Sequence, residues 1–248
     1  MPTFAPLLVA NCMKKIDFKT LVLFENEDYL VVNKPPFLST LDDRHEAQNM
    51  LELARAYTPD AQVCHRLDKE TSGCLVIAKH QEAYRNIAIQ FENREVQKVY
   101  HAVTAGIHRY EEVLVDRNIV ATNKGIARIN KEGKPAQTRV RTLKTYYAHT
   151  LFACEPISGR LHQIRVHLAY LGHPICCDTT YGGALIYLSQ LKRRFNLKKG
   201  TEELPILQRV ALHAYGICFQ GTDGQTIKVE APYPKDFDVL VRQLEKNS

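Results

Sequence analysis

Two short stretches hold the side chains with which this chain could do chemistry. In the first, His65-Arg66-Leu67-Asp68 is followed by Thr71-Ser72-Gly73, which puts a carboxylate on a polar loop just ahead of an apolar run. Catalytic groups concentrate on loops held by a rigid scaffold. By residue type alone, however, the commoner task of a loop aspartate is to cap a turn with its own side chain. A protein-kinase catalytic loop is excluded. That motif has no leucine between arginine and aspartate, and it needs a glycine-rich loop and an Asp-Phe-Gly that this chain lacks.

The second stretch, Ser158-Gly159-Arg160-Leu161-His162-Gln163-Ile164-Arg165-Val166-His167, offers two histidines and two arginines. His162 and His167 lie five residues apart, about 500° of helical rotation, which takes them off a common face. There is no His-Glu-x-x-His pattern either, so solvated or core-satisfied histidines are expected here and no metal site. Arg165 is more informative, because an arginine beside a buried carboxylate holds it ionised and oriented through bidentate hydrogen bonds.

These side chains need elements to position them. Two apolar runs between Leu21 and Val32 flank Asn26-Glu27-Asp28 and read as a hairpin, ended by Lys34-Pro35-Pro36 because proline cannot donate to a ladder. His45–Tyr57 has helical spacing, closed by Pro59. Cys74–Ala78 reads as a buried strand, Glu82–Asn93 as a helix with Ala83, Ile87 and Phe91 on one face, and Gln97–Thr104 as a half-buried strand. Further strands are expected over Ala136–Leu143 and Thr145–Cys154. After Ser158-Gly159-Arg160, the steps Leu161, Ile164, Leu168 and Leu171 predict a helix whose second, polar face carries Gln163 and Arg165, stopped by Gly172 and Pro174. Strands over Arg209–Phe219 and Thr226–Val229 are expected to finish the chain.

The composition is that of a globular protein: 45% of the 248 residues are hydrophobic and 24% charged, enough for a sizeable core. No apolar run approaches the roughly 18 residues of a membrane span, no leader pattern opens the chain, and a cytoplasmic location is expected. The seven cysteines are scattered without a Cys-x-x-Cys pair and read as buried free thiols. A net charge of +6 creates a mildly attractive field for polyanions. No internal repeat or linker is found, so a single domain over residues 1–248 is expected, with 1–20 as an N-terminal extension and 185–205 as a basic insertion.

His65-Arg-Leu-Asp-Lys-Glu-Thr-Ser-Gly73, Lys98-Val-Tyr100 and Gly159-Arg-Leu-His-Gln-Ile-Arg-Val-His-Leu-Ala-Tyr-Leu-Gly-His-Pro174 together resemble the RluA-type pseudouridine synthases. Asn33-Lys34-Pro35 and Leu212-His213-Ala214 fit the same family's flanking motifs in the same order, so the likeness runs from about Glu25 to about Tyr233. The resemblance implies an α+β fold: a mixed, mostly antiparallel sheet in two halves, with peripheral helices and a central active-site cleft. It implies that Asp68 is the essential catalytic aspartate, Tyr100 the active-site tyrosine and Arg165 the arginine that pairs with Asp68. Arg66 matches the residue that helps expel the target nucleotide and fill its place, and Leu212 an apolar wall of the uracil pocket.

Three positions depart from the family pattern. Phe37 stands where glycine is usual, Leu161 replaces a threonine, and Cys177-Asp178-Thr179-Thr180-Tyr181-Gly182 loosens a Gly-Asp-Pro-Leu-Tyr-Gly segment. The loss of threonine at 161 is expected to remove a helix N-cap, worth about 1 kcal/mol.

Isomerising uridine breaks the N1–C1′ bond, turns the uracil without releasing it, and joins C5 to C1′. That requires a carboxylate acting as nucleophile or base, a pocket that excludes water and no cofactor. The residue types leave open whether Asp68 attacks the sugar, attacks the base or removes a sugar proton. A uridine within paired RNA must also be flipped out, at a cost of a few kcal/mol. The expected partner is ribosomal or transfer RNA, with no DNA, no membrane and a monomeric state. Only about two dozen residues precede the first matched motif, too few for the S4-type RNA-binding module of many relatives, so RNA selection is expected to rest on the catalytic domain and its insertions. The basic segment Lys192, Arg193 and Arg194, with Lys198 and Lys199 behind it, is the candidate backbone-holding surface, against the plainer reading of a solvated helix face. A non-catalytic RNA-binding module is the main rival function. A metal-dependent hydrolase is a distant third for lack of ligand spacing.

Overall fold

The computed structural model describes residues 16–42, 48–123 and 125–248. The strands are β1 (Val22–Glu25), β2 (Tyr29–Lys34), β3 (Gln62–Val63), β4 (Ser72–Ala78), β5 (Gln97–Ala105), β6 (Val113–Asp116), β7 (Ile119–Ala121), β8 (Ala127–Ile129), β9 (Gln137–Thr145), β10 (His149–Pro156), β11 (Leu212–Gln220) and β12 (Thr226–Glu230). The helices are α1 (Met50–Tyr57), α2 (Gln81–Glu92), α3 (Gln163–Tyr170), α4 (Leu188–Leu191) and α5 (Lys235–Lys246). Ten strands form one sheet in the order β1-β2-β4-β11-β5-β10-β9-β6, with β3 beside β4 and β12 beside β11, while β7 and β8 make a separate hairpin.

All pairings in the large sheet are antiparallel except β4 with β11, where Ser72 faces His213 and Gly73 faces Ala214. This short parallel seam joins the two halves of the sheet directly beneath the Asp68 loop. Its closeness demands glycine: Gly73 has φ +116°, and a Cβ there would lie 2.1 Å from the Ala214 carbonyl oxygen. On one side of the seam β4 is buried on both faces, between a cluster that includes Met50 and Leu53 of α1 and another that includes Ala83 and Ile87 of α2. On the other side β5, β9 and β10 pack against Ile164 and Leu168 of α3 and Phe237, Leu240 and Leu244 of α5. The expected α+β architecture, a mostly antiparallel sheet with peripheral helices, is therefore the observed one.

Several elements differ from the sequence expectations. The first helix begins at Met50 rather than His45, because Asn49 and Glu52 close a capping box; residues 43–47 lie outside the described residues. The chain ends on α5 rather than on β12, its apolar stripe covering the sheet face beside β5. The polar face of α3 does not meet water: Gln163, Arg165 and His167 are all buried. Gln163 donates to the Gln137 carbonyl at 2.9 Å, and His167 shares hydrogen bonds with Thr138 Oγ1 at 2.9 Å and the Arg117 carbonyl at 3.1 Å. Nor is Leu161 the N-cap of α3. That place belongs to His162, which has left-handed backbone (φ +51°) and makes no capping bond with its side chain.

The other two departures share one backbone feature. Phe37 (φ +63°) and Cys177 (φ +64°) both occupy the left-handed region, where glycine is free of strain and an L side chain is not.

Candidate active site

The Asp68 loop is held almost entirely through its backbone. Thr40 Oγ1 donates to the Leu67 carbonyl at 2.9 Å and accepts from the Leu67 N–H at 3.1 Å. The Lys69 carbonyl accepts from Phe37 N–H at 2.9 Å and from Lys34 Nζ at 3.1 Å, and the fully buried Lys34 ammonium also serves the Pro35 and Leu38 carbonyls. Arg209, also fully buried, donates to the Glu70 carbonyl at 2.9 Å and to Ser72 Oγ at 3.2 Å, while Asp236 of α5 takes its Nε and Nη2 at 2.7 and 3.0 Å. At the head of the loop, His65 Nε2 accepts from the Val76 N–H at 3.1 Å. Burial holds this histidine neutral, its pKa pushed down to about 3.

With the backbone satisfied, the Asp68 side chain is left to the cavity. The turn at this point is closed by the main chain, Thr71 N–H to Asp68 carbonyl at 3.0 Å, and the carboxylate caps nothing among the described residues. It faces a cavity of about 600 Å³ whose wall includes Arg66, Tyr100, Arg165 and Leu212. All five side chains singled out from the catalytic motifs thus reach one space, although they come from the loop before β4, from β5, α3 and β11. Arg66 is exposed at the rim, Tyr100 partly buried and Leu212 buried. Burial, reinforced by the charge of Asp68, raises the Tyr100 phenol above its ordinary range, so it stays protonated at neutral pH. Lys192, Arg193 and Arg194 do not join this cavity. They follow α4, which ends at Leu191, as an irregular segment rather than a helix face, and the two arginines are exposed.

Arg165 reaches Asp68, but not with the bidentate grip expected of it. Its bidentate grip is on Asp178, through Nε and Nη2 at 2.7 Å each, and Asp178 is buried. To Asp68 it turns only Nη1, at 3.7 Å from Oδ2. Burial opposes the guanidinium charge but is outweighed by the Asp178 hydrogen bonds and by the charges of Asp178 and Asp68, so Arg165 is held firmly cationic. The Tyr181 ring lies 5.0 Å from its Cζ. His162 completes this side, with Nε2 3.8 Å from Asp68 Oδ2 and Nδ1 2.9 Å from the Tyr181 hydroxyl. Burial lowers its pKa, partly countered by Asp68, and favours the neutral ring.

Sequence reasoning gave no role to Asp178, His162 or Tyr181. Asp178 and Tyr181 lie in the segment already matched to Gly-Asp-Pro-Leu-Tyr-Gly, and a search for a carboxylate able to hold Arg165 would have found Asp178 there.

Comparison with known proteins gives the family. Residues 28–170 match the family model described as RNA pseudouridylate synthase. The "Ribosomal large subunit pseudouridine synthase C" of Escherichia coli O157:H7 is 36% identical over 234 residues, covering 91% of this chain and 69% of the relative. The protein of the same name from Vibrio vulnificus is 32% identical over 248 residues, covering 98% and 74%. Among solved structures, Human RNA Pseudouridylate Synthase Domain Containing 1 has a TM-score of 0.66 at 25% identity, covering 90% of this chain and 94% of that one. Human RNA Pseudouridylate Synthase Domain Containing 4, at 23% identity and TM-score 0.70 over 92% and 94%, shares the fold. A pseudouridine-forming enzyme is thus the class that fold and site define. The chain belongs to the RNA pseudouridylate synthase family, isomerases that act on uridine within RNA, and the non-catalytic binding module is not favoured.

Proposed function

We propose that this chain isomerises uridine in ribosomal RNA of the large subunit, with Asp68 as the essential carboxylate. The RNA class is the one the relatives above are named for. The observation that carries the site assignment is the Asp68 carboxylate itself: unused by any turn, it faces a cavity with an aromatic and an aliphatic wall and a fixed cation 3.7 Å away. Arg165, locked by Asp178, offers Asp68 a cation without sealing the carboxylate in a bidentate pair, so Asp68 keeps lone pairs for the nucleoside.

Asp68 acts as nucleophile or base while the N1–C1′ bond breaks and C5–C1′ forms. Leu212 and the Tyr100 ring hold the freed uracil so that it turns without leaving. The proton lost from C5 is matched by one gained at N1, and Tyr100, kept as a phenol, can relay it. Arg66, two residues from Asp68 and exposed at the rim, fills the vacancy left by the flipped nucleotide, and Lys192, Arg193 and Arg194 hold the RNA backbone.

The test is to map pseudouridines in ribosomal RNA from cells with the wild-type protein, with Asp68→Asn, and with neither. A uridine should lose modification in the last two alike, while the purified variant binds that RNA within a few-fold of wild type. Substantial turnover by Asp68→Asn would remove Asp68 from the role.

A further inference from the structure

Side chains two apart on a strand share a face, so Lys98 and Tyr100 of β5 point the same way, and both line the cavity that holds Asp68. Two residues of strand separate them by about 7 Å. Lys98 is half-buried, and its Nζ lies 5.7 Å from the centre of the Phe91 ring, itself packed against His65 at 5.2 Å. Among the described residues its ammonium makes no hydrogen bond and no ion pair. Lys34 is the instructive contrast: it is also buried, but three carbonyls surround it. Burial, with an aromatic face but no hydrogen-bond acceptor or counter-charge to offset it, pulls Lys98 down to about 8, a value at which it is still mostly charged at pH 7.

A cation that has lost water without gaining an acceptor destabilises the free protein, and an arriving anion reverses that loss. Any nucleoside within RNA brings one, since its phosphates lie a few bonds from C1′. We propose that Lys98 is a phosphate subsite of the uridine cavity, its ammonium pairing with a phosphate oxygen of the nucleotide whose base lies between Tyr100 and Leu212. The subsite rests on the reading of the cavity as the uridine site. It gives the enzyme a means, separate from the base pocket, of preferring a nucleotide in a chain to free uridine.

Uridine, uridine 3′-monophosphate and uridine 5′-monophosphate are titrated into wild type, Lys98→Met and Lys98→Arg, with the resonances of cavity residues as the readout. At pH 7 a monophosphate should bind wild type about tenfold tighter than uridine, the weight of one charge-assisted contact. Which monophosphate gains identifies which phosphate is held. The preference should vanish in Lys98→Met and return in part in Lys98→Arg.

It should also fade in wild type as pH rises from 7 to about 8.5, through the Lys98 value near 8 and below the ionisation of the uracil N3–H, because only the ammonium attracts phosphate, and stay flat in Lys98→Met. The phosphate is already a dianion over that range. Of the neighbours, His65 is neutral and Cys64 is pushed up to about 12, while the Tyr100 phenol is raised beyond its ordinary range. Asp68, Arg66, Glu92, Arg160 and Arg165 are the other charged groups on the wall, together with His162, whose pKa burial lowers.

Lys98→Met should in addition raise the melting temperature of the unligated protein, which replacement of a structural lysine would not do. Uridine binding with an unchanged phosphate preference in Lys98→Met overturns the subsite alone. Failure of uridine itself to shift the cavity resonances of wild type overturns the reading beneath it.

Discussion

Arg165 binds Asp178 through two hydrogen bonds of 2.7 Å and leaves Asp68 a single, longer contact of 3.7 Å. The buried aspartate takes the geometry of the guanidinium, and the exposed side of the cation is what the Asp68 carboxylate meets. A strong pair and a loose one therefore share one arginine. On the role proposed for Asp68, the loose one is the contact its carboxylate can give up to a nucleoside.

Arg165→Leu should accordingly fail twice. It removes the cation beside Asp68, so turnover at saturating RNA should fall below detection. It also strands Asp178 as a buried, unpaired carboxylate, which costs about 3–5 kcal/mol and should lower the denaturation midpoint. Asp178→Asn separates the effects: Asp68 keeps its cation, but the guanidinium loses its fixed orientation, and turnover should drop by about 10²-fold for a small displacement of the site. Single-turnover assays beside urea titrations distinguish the two, and an Asp178→Asn enzyme of wild-type activity would show that the orientation of Arg165 is set elsewhere.

The grip of Arg209 on Asp236 ties α5 to the Asp68 loop, and its pH dependence has a definite sign. Burial pushes the Asp236 carboxyl up, but the Arg209 hydrogen bonds and charge prevail and hold it below the usual 3.8. A carboxyl with a depressed folded pKa contributes stability that is complete above its unfolded value and is lost as pH falls through the folded one. Stability of wild type should therefore decline below about pH 4 more steeply than that of Asp236→Asn, measured as urea midpoints from pH 6 to pH 2.5. Parallel curves would mean that the pair does not titrate on unfolding.

Phe37 offers a gain rather than a loss. Its side chain is exposed at 53%, so little packing is at stake, while its backbone sits at φ +63°. Left-handed backbone costs an L residue about 1–2 kcal/mol, against which glycine's extra freedom in the unfolded chain counts for about 0.5–1 kcal/mol. Thermal denaturation should rank Phe37→Gly above both wild type and Phe37→Ala. Phe37→Ala melting above Phe37→Gly would locate the effect in the ring and not in the backbone.

How much of this was legible in the sequence depends on whether a signal is local. The first hairpin, β4, α2 and β5 follow their periodicity closely, and Lys34-Pro35 ends β2 where proline demands it. α5 was legible too, in Phe237, Leu240, Val241 and Leu244 at steps of three and four, and a reading that ends the chain on strands misses it. The polar face of α3 was not. Periodicity separates two faces of a helix without saying that Gln137, Thr138 and Asp178, distant in sequence, wait opposite the polar one. Motif resemblance brought Asp68, Tyr100, Arg165, Arg66 and Leu212 to attention. It could not tell that Arg165 spends its bidentate geometry on Asp178, because that choice is made by the packing of the 175–183 segment against α3.

The basic segment provides the last test. Arg193 and Arg194 are exposed, Lys192 is partly so, and the three follow α4 without continuing it, which removes the solvated-helix reading and leaves an irregular, cationic strand of chain. Such a segment can follow an RNA backbone more readily than a rigid helix face can. Phosphate contacts supply affinity without reading sequence, and each neutralised phosphate on a single strand contributes about −0.7 to the slope of log K against log salt. Replacing all three residues by alanine should weaken binding to every RNA alike and flatten that slope by roughly 2, with turnover at saturating RNA nearly unchanged. The measurement is binding by fluorescence anisotropy at several salt concentrations, using the RNA that carries the mapped uridine and an unrelated one. An unchanged slope would return the segment to plain solvated surface. A loss confined to the cognate RNA would make it a reader of shape or sequence instead.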